Sequence, residues 1–218
     1  MLHNIGNATG RHTISTNNLR WVINHSNNCN LMFDDGYTSV YNFIKAESCK
    51  PSNIYCFLVV DAIGKFNNWD TNGELSKKEI MNWDHISELK NQGVQFGSHS
   101  LSHPNLCTLN DSNLRKEVED SKKFLEERLS TKVNGFAYPY GFYNQRVISA
   151  VQNSGYRWAV TTTHSILEGI GNPFRTRRVP INGTDSKMLL WLKMNRLYEL
   201  FSLAKLPQLL VQKLTGNK

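Results

Sequence analysis

The chain has 218 residues, enough for one domain with a full-sized core, and at 39% hydrophobic and 20% charged its composition is that of an ordinary soluble protein. The formal net charge is +7, but Lys and Arg are spread along the chain, with some concentration near the C-terminus. Nothing gathers them beside aromatics or into a nucleic-acid motif, so the excess is read as a hint of anionic membranes or substrates, not of DNA or RNA. No stretch approaches the run of roughly 20 apolar residues that spans a bilayer. Met1 to Gly6 shows no basic region followed by an apolar stretch, so no secretory signal is visible and a cytoplasmic location is expected. Cys29, Cys49, Cys56 and Cys107 form no C-x-x-C pair and read as free, mostly buried thiols.

In chain order, Asn30–Phe33 is predicted as a strand that stops at Asp34-Asp35-Gly36, and a helix follows over about Ser39–Ser48. Ile54–Val60 is the next apolar run. Ser76-Lys77-Lys78-Glu79 has the form of a capping box and predicts a helix running to about Gly93. Val94–Gly97 is short and strand-like, and Asp111 is placed to cap a helix over Leu114–Leu129. Asn134–Tyr138 reads as a strand, Asn144 caps a helix that ends at Gly155, Arg157–Thr161 is another strand and Arg178–Ile181 the last. Strands alternating with helices predict an α/β fold with a parallel sheet. The absence of G-x-G-x-x-G and Walker sequences argues against nucleotide binding. Asp34 and Asp35, then His99, then Tyr140, fall just after predicted strands, where the loops of a βα barrel build an active site.

Ser98-His99-Ser100-Leu101-Ser102-His103-Pro104 sets two imidazoles four residues apart, which in a helical turn or a tight loop aims both at one point. Imidazole suits zinc and neighbouring transition metals. Alone, the pair reads equally well as one solvated and one capping histidine. Asp34-Asp35 changes that balance, because two adjacent carboxylates at the end of an apolar strand are costly to bury without a cation. Successive side chains there diverge, so one carboxylate can bind metal while the other faces water, and Gly36 permits a sharp turn. A His-His-Asp set leaves coordination positions open, as a catalytic site requires. The chemistry indicated is acyl hydrolysis. The metal polarises the carbonyl, Asp34 takes the proton of the attacking water, a backbone N–H shares the oxyanion, and a general acid protonates the leaving amine or alkoxide.

These residues resemble the polysaccharide deacetylase family (carbohydrate esterase family 4, the NodB-homology domain). Its T-F-D-D-G motif appears as Met32-Phe33-Asp34-Asp35-Gly36, its H-[ST]-x-x-H motif as His99-Ser100-Leu101-Ser102-His103, and its third motif resembles Phe136 to Gly141. Trp69-Asp70 sits where many members carry a W-D pair, and Gly155 to Thr162, then Pro173 to Ile181, resemble segments of a bacterial branch. The resemblance implies a distorted (β/α) barrel of about seven strands over 1–185, with Asp35, His99 and His103 holding Zn²⁺ (or Co²⁺ or Ni²⁺). It makes Asp34 the general base and the Tyr140 N–H an oxyanion donor. Two departures stand out. Ala137 stands at or near the place of the arginine that orients the base in the family, and Arg178 is the candidate substitute. The family's late histidine is missing. Some bacterial exopolysaccharide deacetylases carry it before the first motif, where Leu2-His3 stands here, so His3 is the candidate general acid, ahead of His164. His12, His25 and His85 read as solvated or structural.

Residues 186–218 leave the barrel pattern, with apolar residues near helical spacing and Lys193, Arg196, Lys205 and Lys213 among them. They read either as a helix packed over the barrel or as an amphipathic segment, 187–218, on the inner membrane face. The expected activity is removal of an N-acetyl group from an amino sugar of a bacterial surface polysaccharide or its precursor, with no nucleic-acid partner. The alternatives are an O-acetyl ester or a non-sugar amide as substrate, or an inactive glycan-binding relic.

Overall fold

The computed structural model describes residues 1–7, 10–25, 30–47, 53–162 and 171–195. Two short parallel strands, β1 (Asn4–Ile5) and β2 (Thr13–Ile14), precede the main sheet. That sheet comprises β3 (Leu31–Phe33), β4 (Ile54–Leu58), β5 (Gln95–Ser98), β6 (Gly135–Ala137), β7 (Trp158–Thr161) and β8 (Thr176–Arg177). Its strands are hydrogen-bonded in sequence order and every pair is parallel. The helices are α1 (Thr16–His25), α2 (Thr38–Glu47), α3 (Trp83–Asn91), α4 (Asp111–Leu129), α5 (Gln145–Asn153) and α6 (Lys187–Met194). A strand order that never reverses is that of a barrel and not of a doubly wound open sheet.

A further extended segment lies between the first and last strands. Leu2 pairs in parallel with Phe33, donating its N–H to the Met32 carbonyl at 2.8 Å and accepting from the Asp34 N–H at 2.9 Å. On its other side the Met1 carbonyl accepts from the Ile181 N–H at 3.0 Å. Met1–Leu2 therefore takes the seventh position around a distorted (β/α) barrel.

The helices form where apolar residues recur at helical spacing and an amide or hydroxyl side chain closes the first turn. In α4, Leu114, Val118, Leu125 and Leu129 are buried while most of the charged residues face outward. Asn110, Asn144 and Ser186 cap α4, α5 and α6, each accepting the N–H three residues on.

Several expectations are corrected. Ser76-Lys77-Lys78-Glu79 opens no helix: the Ser76 hydroxyl donates to the Thr71 carbonyl, Lys77 is left-handed at φ 52°, and Glu79 and Ile80 form bridges to Phe66 and Tyr37. The helix starts later, at Trp83, because Asn82 supplies the cap. Asn110, not Asp111, caps α4. The last strand is Thr176–Arg177 and not 178–181, which places Arg178 just beyond its end. β4 stops at Leu58, and α1, β1 and β2 have no counterpart in the sequence reading. Lys193 is no solvent-facing cation: it is buried, with Nζ 2.6 Å from Asp185 Oδ2, and α6 packs against α1. Residues 196–218 lie outside the described residues, as do Cys29 and Cys49. Cys56 and Cys107 are free, Cys56 being buried. No described helix is long and apolar enough to cross a membrane.

Gly97 shows how tightly β5 is held. A Cβ there would stand 2.5 Å from the Phe57 ring and 2.9 Å from the Gly135 carbonyl oxygen, which is fixed backbone. Gly97→Ala is expected to lower unfolding free energy by about 1–3 kcal/mol through overpacking, measured as an earlier urea midpoint at unchanged slope.

Candidate active site

The polar residues singled out from the sequence gather at the C-terminal ends of the parallel strands. Asp34 and Asp35 follow β3, His99 follows β5, Tyr140 comes shortly after β6, and Arg178 follows β8. Together with His3 and His103, the two aspartates, His99 and Tyr140 line a cleft of about 690 Å³. Asp35 and Gly36 are left-handed, at φ 71° and 85°, and a Cβ on Gly36 would stand 2.8 Å from the Leu58 side chain. The turn that this forces sends the two carboxylates to different partners.

Asp34 faces Arg178. Nη1 donates to Oδ1 at 2.6 Å and Nη2 to Oδ2 at 2.7 Å, and both residues are buried. The guanidinium also lies 5.5 Å from the Phe57 ring centroid. Burial alone would raise the Asp34 carboxyl, but the Arg178 guanidinium, together with His99 and His3, outweighs it and holds the group well below the usual carboxylate range.

Asp35 faces the histidines. Its Oδ1 is 3.5 Å from Nε2 of His99 and 3.5 Å from Nε2 of His103. The three residues offer donor atoms that all lie within 4.8 Å of one another. His99 Nδ1 is 2.8 Å from the Ala137 carbonyl, an acceptor, which makes Nδ1 the protonated nitrogen and leaves the Nε2 lone pair facing Asp35. His103 Nδ1 and Asp35 Oδ1 are buried without a hydrogen-bond partner among the described residues. Burial, with the Asp34 charge beside it, pushes the Asp35 carboxyl up to about 8. Burial likewise lowers His99 and His103. A buried carboxylate that resists ionisation beside two imidazoles that resist protonation fits a divalent cation, which would satisfy all three groups at once.

The rest of the site frames this triad. The Tyr37 hydroxyl, which accepts from Asn67 Nδ2 at 3.0 Å, sits against the Asp35 carboxylate. The His103 ring lies between Trp69, stacked at 4.7 Å, and Tyr140, edge-on at 4.5 Å. Tyr140 is left-handed at φ 58°, and the hydrogen bonds of its turn run from the Gly141 and Phe142 N–H groups, leaving the Tyr140 N–H outside them. His3 reaches the cleft because Leu2 is paired with β3, and burial pushes its imidazole down to about 3.

His12, expected to be solvated or structural, also lines the cleft, with its ring 5.0 Å from that of His3 in an edge-on arrangement. His25 and His85 stay apart from the cleft, stacked on Trp21 and Tyr41. His164 lies outside the described residues. Tyr37 and Asn67 are site residues that the sequence analysis did not single out. Tyr37 follows Gly36 directly, and that adjacency was the available signal.

Comparison with known proteins bears on the family and the fold. The polysaccharide deacetylase family model matches residues 22–159. A Bacillus subtilis (strain 168) protein described as "Putative polysaccharide deacetylase YxkH" is 28% identical over 136 residues, covering 61% of this chain and 43% of its own length. The chain thus spans less than half of that relative. Among solved structures, the Streptococcus pyogenes deacetylase PplD in complex with acetate superposes with a TM-score of 0.66 at 20% identity, covering 89% of this chain and 96% of that one. A polysaccharide deacetylase from Bacillus cereus gives 0.70 at 19% identity, covering 89% and 67%. A de-N-acetylase from Aggregatibacter actinomycetemcomitans gives 0.68 at 18% identity, covering 88% and 97%. At these identities the solved structures establish the fold, and the family match over residues 22–159 makes the chain a member of the polysaccharide deacetylase family.

Proposed function

We propose that the cleft hydrolyses the N-acetyl group of an amino sugar in a bacterial surface polysaccharide or its precursor. The observation that carries this reading is the division of labour between two adjacent buried carboxylates: Asp34 is locked to Arg178, and Asp35 converges with two imidazole nitrogens. Asp35, His99 and His103 would hold a divalent ion, with zinc the first choice and cobalt or nickel compatible with the same donors, and such an ion would supply Lewis acidity toward an acyl carbonyl and a water. Arg178 keeps Asp34 ionised through the neutral range, so the carboxylate meets that water unprotonated and takes its proton at Oδ1 or Oδ2. The Tyr140 N–H, uncommitted within its turn, is available to the developing oxyanion. His3 stands in the same cleft and, once it has taken up a proton beside the Asp34 charge that favours its charged form, passes that proton to the leaving nitrogen. The exposed rings of Tyr140 and Phe142, with Trp69 deeper in, offer the flat apolar faces that suit a sugar ring.

Acetate release from an N-acetylglucosamine oligomer, by metal-stripped protein with and without zinc, tests the assignment. Release is expected only with zinc, and His3→Ala should slow it by about 10²–10⁴-fold, the usual worth of a general acid. Release that survives His3→Ala would move the acid role elsewhere. Zinc-loaded protein that spares the N-acetyl sugar but cleaves an O-acetyl ester would replace the amide by the ester. Glycan binding without any cleavage would make the chain a relic.

The Asp34–Arg178 pair carries its own prediction. Arg178→Ala leaves a buried carboxylate unpaired and is expected to cost about 3–5 kcal/mol, and Arg178→Lys should not restore the two-pronged contact. Asp34 binds its proton less readily folded than unfolded, so its contribution is complete above its ordinary value of 3.8 and is lost as pH falls below it. Urea midpoints measured from pH 7 down to the acid limb should therefore drop more steeply in the wild type than in Arg178→Ala.

A further inference from the structure

Between His99 and His103 the backbone leaves regular structure, and both Ser100 (φ 67°) and His103 (φ 64°) adopt the left-handed conformation that side chains disfavour. Something outside the loop has to hold it. Its N–H groups can be followed one by one. His99 donates to the Leu58 carbonyl at 2.9 Å, Ser100 to Ser98 Oγ at 3.2 Å and His103 to Ser100 Oγ at 3.0 Å. The two in the middle, Leu101 and Ser102, both donate to Glu117 Oε2 at 2.9 Å, and the Ser102 hydroxyl donates to Glu117 Oε1 at 2.6 Å. Consecutive N–H groups converging on one oxygen form an anion-binding concavity, and here the anion is a side chain of the protein itself.

Glu117 lies on α4, and four residues on, Ser121 accepts from Ser98 Oγ at 2.9 Å. Residues at that spacing share a helix face, so one face of α4 grips the strand end before His99 and the loop after it. Glu117 touches neither cleft nor ligand nitrogen, and no ion pair joins it to a cation among the described residues. Its carboxylate is committed to the loop.

The geometry points to Glu117 as the positioning residue that sets the His99–His103 pair for metal: its carboxylate clamps the loop in the strained conformation that turns both Nε2 atoms toward Asp35. This inference rests on the metal reading of the site but adds a residue outside it, acting through the backbone of the ligand loop.

The test is zinc affinity, measured on metal-stripped protein by competition with a chromophoric chelator, beside the melting temperature of the same metal-free samples. Glu117→Ala should weaken zinc binding by about 10–100-fold, the usual effect of losing a group that orients metal ligands. Glu117→Gln keeps one carbonyl acceptor for the two N–H groups and should fall between wild type and Glu117→Ala. Val118→Ala, a neighbouring core truncation on the same helix, should lower the melting temperature while leaving zinc affinity unchanged. If Glu117→Ala binds zinc within about twofold of wild type, a change far below that scale, the inference is overturned. It is equally overturned if Val118→Ala weakens binding as much, which would reduce Glu117 to general stability. Should Glu117→Ala fail to fold, Glu117→Gln decides: weaker zinc binding at an unchanged melting temperature supports the clamp, and unchanged binding overturns it. Zinc-dependent acetate release in the wild type, with affinity unmoved in the Glu117 variants, would sink this inference and leave the proposed activity standing. A wild type that binds no zinc would sink the inference and the metal reading together.

Discussion

Two adjacent carboxylates are buried at the end of β3, where neither can stay charged without an opposing charge. Most of the surrounding architecture answers that demand. Arg178 arrives from the far end of the sheet, 144 residues later, to match Asp34 oxygen for nitrogen. His99 and His103 arrive from β5 to face Asp35, and the cation that this triad fits would complete it. A left-handed turn at Asp35-Gly36 makes the separation sterically feasible, since a regular strand would aim successive side chains at opposite faces and take one of them out of the cleft.

The barrel serves this arrangement by bringing distant segments to one rim. Parallel strands in sequence order place every strand's C-terminal end on the same side, so residues from β3, β5, β6 and β8 meet without long excursions. Met1–Leu2, between β3 and the segment after β8, carries His3 to that rim on a strand-like pairing and not on a loop. The burial that results leaves His3 neutral through the ordinary pH range, so a proton on it would depend on the Asp34 charge, which opposes burial, and on groups that arrive with substrate.

The parts legible in the sequence were those whose chemistry is local. Asp34-Asp35-Gly36 and the His99–His103 spacing each declare a function within a few residues, and the apolar runs of β3 to β7 sit between turn residues that bound them. What failed did so for physical reasons. The Ser76–Glu79 pattern matches a capping box, but Glu79 and Ile80 are claimed by bridges to the 66 and 37 positions, and tertiary pairing overrides a four-residue propensity. β1, β2 and β8 are two residues long, too short for periodicity to register. Glu117 is invisible because it reads as one charge among many on the outer face of α4, and only the fold shows that two backbone N–H groups are waiting for it.

Ala137 and Arg178 both reach the surroundings of the buried aspartates, one through its backbone and the other through its side chain. Alanine stands at or near the place where the family resemblance sets an arginine, and its side chain is fully buried at the end of β6. The position still contributes through its backbone: its carbonyl accepts the hydrogen bond from His99 Nδ1–H and so fixes which nitrogen faces Asp35. A main-chain carbonyl does this with any residue at 137, which frees the side chain to shrink. The guanidinium that must neutralise Asp34 then has only to reach the same buried volume from another strand end, and β8 abuts β7, whose Thr161 carbonyl lies 3.5 Å from Arg178 Nε. The demand is set by the buried charge of Asp34 and not by the chain position that answers it, so a motif lacking its arginine is still compatible with a complete ion pair.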